Sequence, residues 1–455
     1  MPIPTVREVA EVVGHKFGVV VTDVKRQTRW RPTWFVTATR DGKDHSMVIR
    51  GDRVDSAVFP LRHEWQFHSL LEHNGIAVAK LHGYVDEIDA VAMEMLPGRP
   101  DFHDVSDSER DVIVDEYLKL LVAVHSLDPQ QFADAGILRA ARPEESAMVA
   151  HEHMERIFRS RKTAPDPFME FCLGWLHRNP PRSNGREAPI IWDTGQFHHH
   201  NGHLVAALDF EFGIVGDPML DLATWRMRDT LIPFGDFDKL YERYGELSGT
   251  PVDMQAIKLH HFACTIGNQL MFGPSVIAPD PDTDLMNNMQ WNSETNLHAT
   301  ETLAEFLDIE LPVVEMPEPR RTRQNTTYPH LVRSLKVETD DYLLRHDLRL
   351  AFRMARHLQR TNEIADAIVE ADLDDLGELL NHRPETFWEG DAELERFVLA
   401  DATVGKYDEQ LVRLFHRRNL RVHMQLGPEG SSMVQHYRLQ RFEAAPISRA
   451  DEMTS

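Results

Sequence analysis

Residues 192–223 run WDTGQFHHHNGHLVAALDFEFGIVGDPMLDLA. At the centre, Asn201-Gly202 is the pair preferred for a two-residue type I′ turn, because both central positions need positive φ. A hairpin here puts Leu204, Ala206 and Leu208 on one face and brings residues 193–196 beside Asp209 at its open end. Asp193, Gln196 and Asp209 then offer two carboxylates and an amide oxygen in one place. A hard cation such as magnesium takes oxygen ligands of this kind, while a separate carboxylate can orient or deprotonate an attacking hydroxyl. From spacing alone, the same residues serve equally as the ordinary polar end of a hairpin.

Outward from the hairpin, the first hundred residues alternate β-rich runs with one helix. Residues 34–39 and 45–50 are strand-like, and Arg40-Asp41-Gly42-Lys43 between them reads as a turn. Residues 61–72 turn helical, with Phe67, Leu70 and Leu71 on one face and Asn74-Gly75 as the stop. A strand over 90–95 ends at Pro97-Gly98, the expected lobe boundary. Beyond it, Ser106 and Glu109 form a capping box ahead of Ile113, Tyr117, Leu120 and Val124 at helical spacing. Helices are expected to about residue 179, β structure over 190–208, and helices again over 221–311. The proline-containing, basic stretch 312–323 reads as a linker, followed by helical stretches over 340–360 and 364–380. The expected domains are therefore 1–97, 98–318 and 319–455.

The 455 residues are too many for one ordinary core. Hydrophobic residues make up 42% and charged residues 27%, as in soluble globular proteins, and no apolar run is long enough to span a bilayer. The beginning of the chain lacks the pattern of a secretory signal, so a cytoplasmic location is expected. Two cysteines, Cys172 and Cys264, are too few for a disulfide framework. With 49 basic against 73 acidic residues the formal charge is -24, which opposes binding to nucleic acid or anionic lipid and favours small-molecule chemistry. The histidines at 198, 199, 200 and 203 invite a metal reading, but alternation along a strand points them to different faces, and in a chain with 25 histidines clustering is unremarkable.

The block LDFEFGIVGDPMLDLA, residues 208–223, resembles the Asp-Trp-Glu, Gly-Asp-Pro and Asp-Leu-Ala block of the aminoglycoside phosphotransferase-like, kinase-like family. The resemblance runs over most of residues 20–310. It implies an α+β, two-lobed protein-kinase-like fold with a small β-rich N-lobe, a larger helical C-lobe and here an extra helical C-terminal region. It implies ATP and Mg2+ as cofactors and phosphoryl transfer to a hydroxyl of a small molecule. The family's His-Gly-Asp loop corresponds to Ile191-Trp192-Asp193-Thr194-Gly195-Gln196, making Asp193 the base and Gln196 and Asp209 the metal ligands. Trp192 stands where Gly is usual, and Gln196 for Asn, with the same carbonyl oxygen on a longer arm.

Other matches follow the family order. Arg50, ending the strand Ser46-Met47-Val48-Ile49-Arg50, stands where a phosphate-contacting Lys is usual, and Glu64 matches the acid that pairs with this base. Met93, Glu94 and Met95 resemble the hinge that takes the adenine edge, and equally read as core. His125 resembles a structural histidine. The phosphate-covering loop, residues 25–33, has no glycine; Lys25, Arg26, Arg29 and Arg31 read either as phosphate contacts or as a solvated basic loop. Arg50 and the 208–223 block look like the phosphotransferase domain associated with acyl-CoA dehydrogenases, which points to a hydroxyacyl-CoA or related hydroxy acid as acceptor. Aminoglycosides, sugars and amino alcohols are the other acceptors implied. The glycine-free loop and the altered His-Gly-Asp position also motivate a catalytically inactive nucleotide- or metabolite-binding protein. Residues 325–455 read as a site-covering unit or as the interface of a homodimer.

Overall fold

The computed structural model describes residues 3–28, 31–53, 58–279 and 283–440. The chain opens with α1 (Val6–Phe17), capped by a reciprocal Thr5–Glu8 box. Five antiparallel strands follow: β1 (Val20–Arg26), β2 (Thr33–Arg40), β3 (Lys43–Gly51), β4 (Leu81–Val85) and β5 (Ala90–Glu94), in the spatial order β1-β2-β3-β5-β4. Asp41 and Gly42 have φ of 52° and 73°, and Arg40 pairs with Lys43, so β2 and β3 form the expected tight hairpin. Trp34, Val36, Ala38, Met47 and Ile49 are buried on one face, covered by Val9 and Val13 of α1. Among the described residues the first hundred thus contain two α-helices rather than one, because α1 owes its place to this sheet face. The second, α2 (Leu61–His73), lies between β3 and β4 in sequence and buries Glu64, Phe67, His68 and Leu71.

The rest is mostly helical. After α3 (Asp107–His125), α4 (Pro129–Asp134), α5 (Val149–Arg161) and α6 (Pro167–Arg178) come four short strands: β6 (Ala188–Ile190), β7 (Phe197–His200), β8 (His203–Ala207) and β9 (Ile214–Gly216). β6 pairs with β9, and β7 with β8. Then follow α7 (Pro218–Arg228), α8 (Phe237–Ser248), α9 (Met254–Thr265), α10 (Gly267–Ile277) and α11 (Leu285–Leu307). Irregular chain, including residues 312–322, leads to α12 (Thr327–Ser334), α13 (Tyr342–Leu380), α14 (Phe387–Asp401) and α15 (Asp408–Met424). The two helical stretches expected over 340–380 are one continuous helix of 39 residues. Thr361, Asn362 and Glu363 interrupt the apolar pattern but carry only a small cost within a helix.

One apolar core joins α3, α7 and α8 to the β6–β9 region. A second gathers side chains from α5, α6, α9, α10 and α11, and into it α13, α14 and α15 insert Leu376, Leu394, Leu411 and Phe415. Phe415 lies 5.2 Å and 5.3 Å, ring to ring, from Phe168 and Phe171. Among the described residues no helix is long and apolar enough to cross a membrane.

Candidate active site

The site is built on the β7–β8 hairpin and the loop before it. Asn201 and Gly202 take φ of 51° and 78°, the left-handed pair that a type I′ turn requires. Upstream, the backbone N–H groups of Ile191 and Trp192 donate to the buried Asp221 carboxylate at 2.9 Å and 2.6 Å. His125 Nε2 reaches the same carboxylate at 3.0 Å, and its Nδ1 faces Tyr244 Oη at 2.8 Å. The Asp-Leu-Ala aspartate and His125 therefore fasten the loop from below. Thr194 Oγ1 donates to the Asp221 carbonyl, and the Gly195 N–H to Tyr117 Oη. Trp192 has φ 68°, a conformation glycine adopts freely and other residues at a cost. Its buried ring, 6.0 Å from those of Phe212 and His151, offsets that cost.

This framework brings Asp193, Gln196 and Asp209 together. Gln196 Nε2 donates to Asp193 Oδ2 at 2.7 Å and to Asp209 Oδ2 at 3.0 Å. Arg228 also holds Asp193, and Arg50 holds Asp209. Arg50 Nε lies 3.2 Å from Glu64 Oε1, so the expected Arg50–Glu64 pair forms. Glu64 has a second, closer partner in Arg31, at 2.5 Å. Arg31 and Arg53 both bind Glu211, at 2.8 Å and 2.9 Å. Four carboxylates thus face four guanidiniums, each charge meeting its opposite, as burial demands.

The two carboxylates bridged by Gln196 are pushed in opposite directions. Burial raises the Asp193 carboxyl above the ordinary aspartate range against the pull of Arg228. Burial acts on Asp209 too, but Arg50 and Arg31 outweigh it and hold that group well below the range. Glu211 is pushed up to about 7 by burial, against Arg31 and Arg53. The two carboxylates that share one amide therefore differ in proton affinity.

The remaining expected residues lie on the sheet side. Met93 pairs with Val48 and Leu81 within β5. The Glu94 N–H donates to the Lys80 carbonyl, and Glu94 Oε1 accepts from the Lys80 N–H. Met95 is exposed just after β5. The chain then passes beside β7: the Pro97 carbonyl faces His198 Nδ1 at 3.1 Å, and Arg99 and His199 exchange backbone hydrogen bonds of 3.1 Å and 3.0 Å. His199 Nε2 contacts the Asp101 carbonyl, and His203 Nδ1 the Glu116 carboxylate.

A model of the phosphotransferase enzyme family matches residues 28–260. The chain belongs to that family. It is a two-lobed, kinase-like phosphotransferase. Its structure is similar to that of choline kinase LicA from Streptococcus pneumoniae, at 14% identity over 66% of this chain and 99% of that one, with a TM-score of 0.48. It is also similar to macrolide 2′-phosphotransferase MphH from Brachybacterium faecium, at 19% identity over 58% of this chain and 91% of that one, with a TM-score of 0.44. Among curated proteins none matches.

In this phosphotransferase a cavity of about 200 Å³ opens beside Asp193. Asp193, Gln196, Asp209, Arg228, Arg53 and Glu211 line its polar end; Phe212, Met227, Leu231, Met271, Phe272 and Trp291 form apolar walls; and Glu294, Thr295 and His298 of α11 lie beyond. Sequence reasoning missed Arg228, Arg53 and Glu211. Glu211 sits inside the 208–223 block and could have been found there, whereas nothing local marks Arg228, which reaches Asp193 only because α7 packs against the loop. Arg31, read as a phosphate contact or a solvated loop residue, is not solvated: it is 5% exposed, and its guanidinium joins Glu64, Glu211 and the Gly51 carbonyl.

Proposed function

We infer that Asp193 accepts the proton of the acceptor hydroxyl while Gln196 and Asp209 hold the magnesium of the bound nucleotide. The reading is carried by the single amide that joins Asp193 to Asp209, two carboxylates driven apart in proton affinity. The donor set suits a hard cation: a carboxylate and an amide, with the Gln196 amide needing a half-turn to present its oxygen in place of its nitrogen. Magnesium, when bound, would neutralise charge on the transferred phosphoryl group. To Arg50, steadied by Glu64, we assign the nucleotide phosphates, and to Met93, Glu94 and Met95 the adenine edge. Arg228 must release Asp193, at least in part, for the base to work.

The acceptor we assign is a hydroxy compound with an apolar body, since aromatic and methionine walls lead to the acid–base pair; hydroxyacyl compounds, including hydroxyacyl-CoAs, are the first class to try. Asp193→Asn should leave ATP binding, read by calorimetry, within about twofold and lower kcat by 10²–10⁴-fold, the usual worth of a general base. Unchanged turnover would remove Asp193 from the mechanism. A panel of hydroxyacyl-CoAs, hydroxy acids, sugars, amino alcohols and aminoglycosides, scored by the mass gain of one phosphate, decides the acceptor; transfer to sugars alone would overturn the hydroxyacyl assignment. Wild-type protein that binds Mg-ATP and phosphorylates nothing would support the inactive binding protein.

A further inference from the structure

α11 carries His298 and Glu301 one turn apart, and the chain returning after α15 lays His436 against them. One ligand atom from each, an imidazole nitrogen or a carboxylate oxygen, lies within 4.8 Å of the other two. The hydrogen bonds around the triad fix which atoms stay free. His298 Nε2 contacts the Tyr437 carbonyl at 2.9 Å; a carbonyl only accepts, so that nitrogen carries the hydrogen and Nδ1 is the bare lone pair. His436 Nε2 likewise faces Glu301 Oε1 at 3.0 Å. His298 Nδ1, His436 Nδ1 and Glu301 Oε2 are buried without a hydrogen-bond partner. His298 is 5% exposed. Each of the three side chains thus keeps one buried acceptor without a partner, and a turn of the His436 ring off Glu301 would let all three face one cation. The nearby Arg438 Nε is 3.8 Å from Glu301 Oε1, but that side chain is 75% exposed. His423 of α15 stands behind, its ring 6.0 Å from that of His436.

The geometry assigns His298, Glu301 and His436 as the ligands of one divalent transition metal of the zinc class. Two imidazoles and a carboxylate are a donor set for borderline-soft ions, whereas magnesium prefers oxygen alone. The Nε2 contact of His298 with Tyr437 is the outer hydrogen bond that metal-bound histidines ordinarily make. The ion would act structurally, fastening residues 425–440 to α11. That segment already clasps the C-lobe further on: the Gln440 carbonyl accepts from Arg226, and its side-chain oxygen from the Phe237 N–H. Glu301 also borders a surface cavity of about 590 Å³, which gives the ion a way in. His298 lines the acceptor cavity as well, so the clasp braces one of its walls.

The test uses the full chain, stripped with a chelator and titrated with Zn2+ alone by calorimetry, with Co2+ absorption and thermal unfolding alongside. The wild type should take up one Zn2+ per chain, show visible Co2+ bands of low-coordinate geometry, and gain Tm on adding Zn2+. Binding should weaken at least ~100-fold in His436→Ala, which alters a segment outside the helices, and in Glu301→Gln, which keeps the side-chain volume. Asp209→Asn should bind Zn2+ as the wild type does. No stoichiometric Zn2+ in the wild type, or equal binding in both ligand variants, overturns the site. Loss of binding in Asp209→Asn alone places the ion at the hairpin and overturns it equally.

Discussion

Arg228 and Arg50 divide the labour at the two carboxylates that Gln196 joins. Arg50 keeps Asp209 ionised, whereas Arg228 only moderates the upward push of burial on Asp193. Removing Arg228 therefore raises the Asp193 pKa further. The base works unprotonated, so activity is lost as pH falls through that pKa, and a higher pKa moves the loss to higher pH. In Arg228→Ala the acid limb of the kcat–pH profile should shift toward neutrality relative to the wild type; an unmoved limb would mean that Asp193 is not the titrating base. His151 offers a second test by proton affinity. Its buried ring, with neither nitrogen hydrogen-bonded and His260 nearby, is held down to about 3, chiefly by burial. The unfolded chain binds that proton from about pH 6.5 downward and the folded chain does not. Stability present above pH 6.5 should accordingly drain away toward pH 3, by about 1.4 kcal/mol per pH unit from this residue. His151→Leu should flatten the acid side of the stability–pH curve measured by urea unfolding, and an equally steep curve would show that other groups set it.

At the scale of elements, the β7–β8 hairpin is held in place by the strand-like passage at residues 97–99. Gly98 has φ 83°, and a Cβ there would lie 2.0 Å from the His199 carbonyl oxygen, which accepts from the Arg99 N–H. Gly98→Ala should cost about 2 kcal/mol or more in urea unfolding and lower kcat by displacing the hairpin; wild-type values in both would show that the passage does not position it. The hairpin and its cluster were legible in sequence because Asn201-Gly202 allows one turn type and the acids follow at fixed offsets. The β2–β3 hairpin was legible for the same reason, through Asp41-Gly42. Helix α1 was not, since its burial depends on a sheet face formed afterwards. The length of α13 was obscured by three polar residues, and Arg31 by the basic residues around it, which look solvated until Glu64 and Glu211 are folded in from α2 and the loop after β8. The run His198-His199-His200 with His203 drew attention to a metal, while the triad on α11 and His436, separated by more than a hundred residues, gave no local signal.

For the whole molecule, the decisive feature is that α13–α15 share a core with α6, α10 and α11. Deleting residues 319–455 would uncover Phe168, Phe171 and neighbouring side chains that face Phe415 and Leu411. The shortened chain should elute from size exclusion as aggregate and bind a hydrophobic dye, whereas a cooperative monomer would show the C-terminal region to be a separate unit. Light scattering on the intact chain meanwhile reads the homodimer proposed for this region: the mass of two chains supports it, the mass of one removes it.

α11 belongs at once to the cavity beside Asp193, through Trp291, Thr295 and His298, and to the seam under the C-terminal helices, through Thr300 and Leu303. A residue changed to admit a bulkier acceptor sits within one turn of a residue that keeps the chain folded. New acceptor preferences on this scaffold should therefore come more cheaply from α10 and the loop after α7 than from α11, where each enlargement risks loosening the whole rear of the protein.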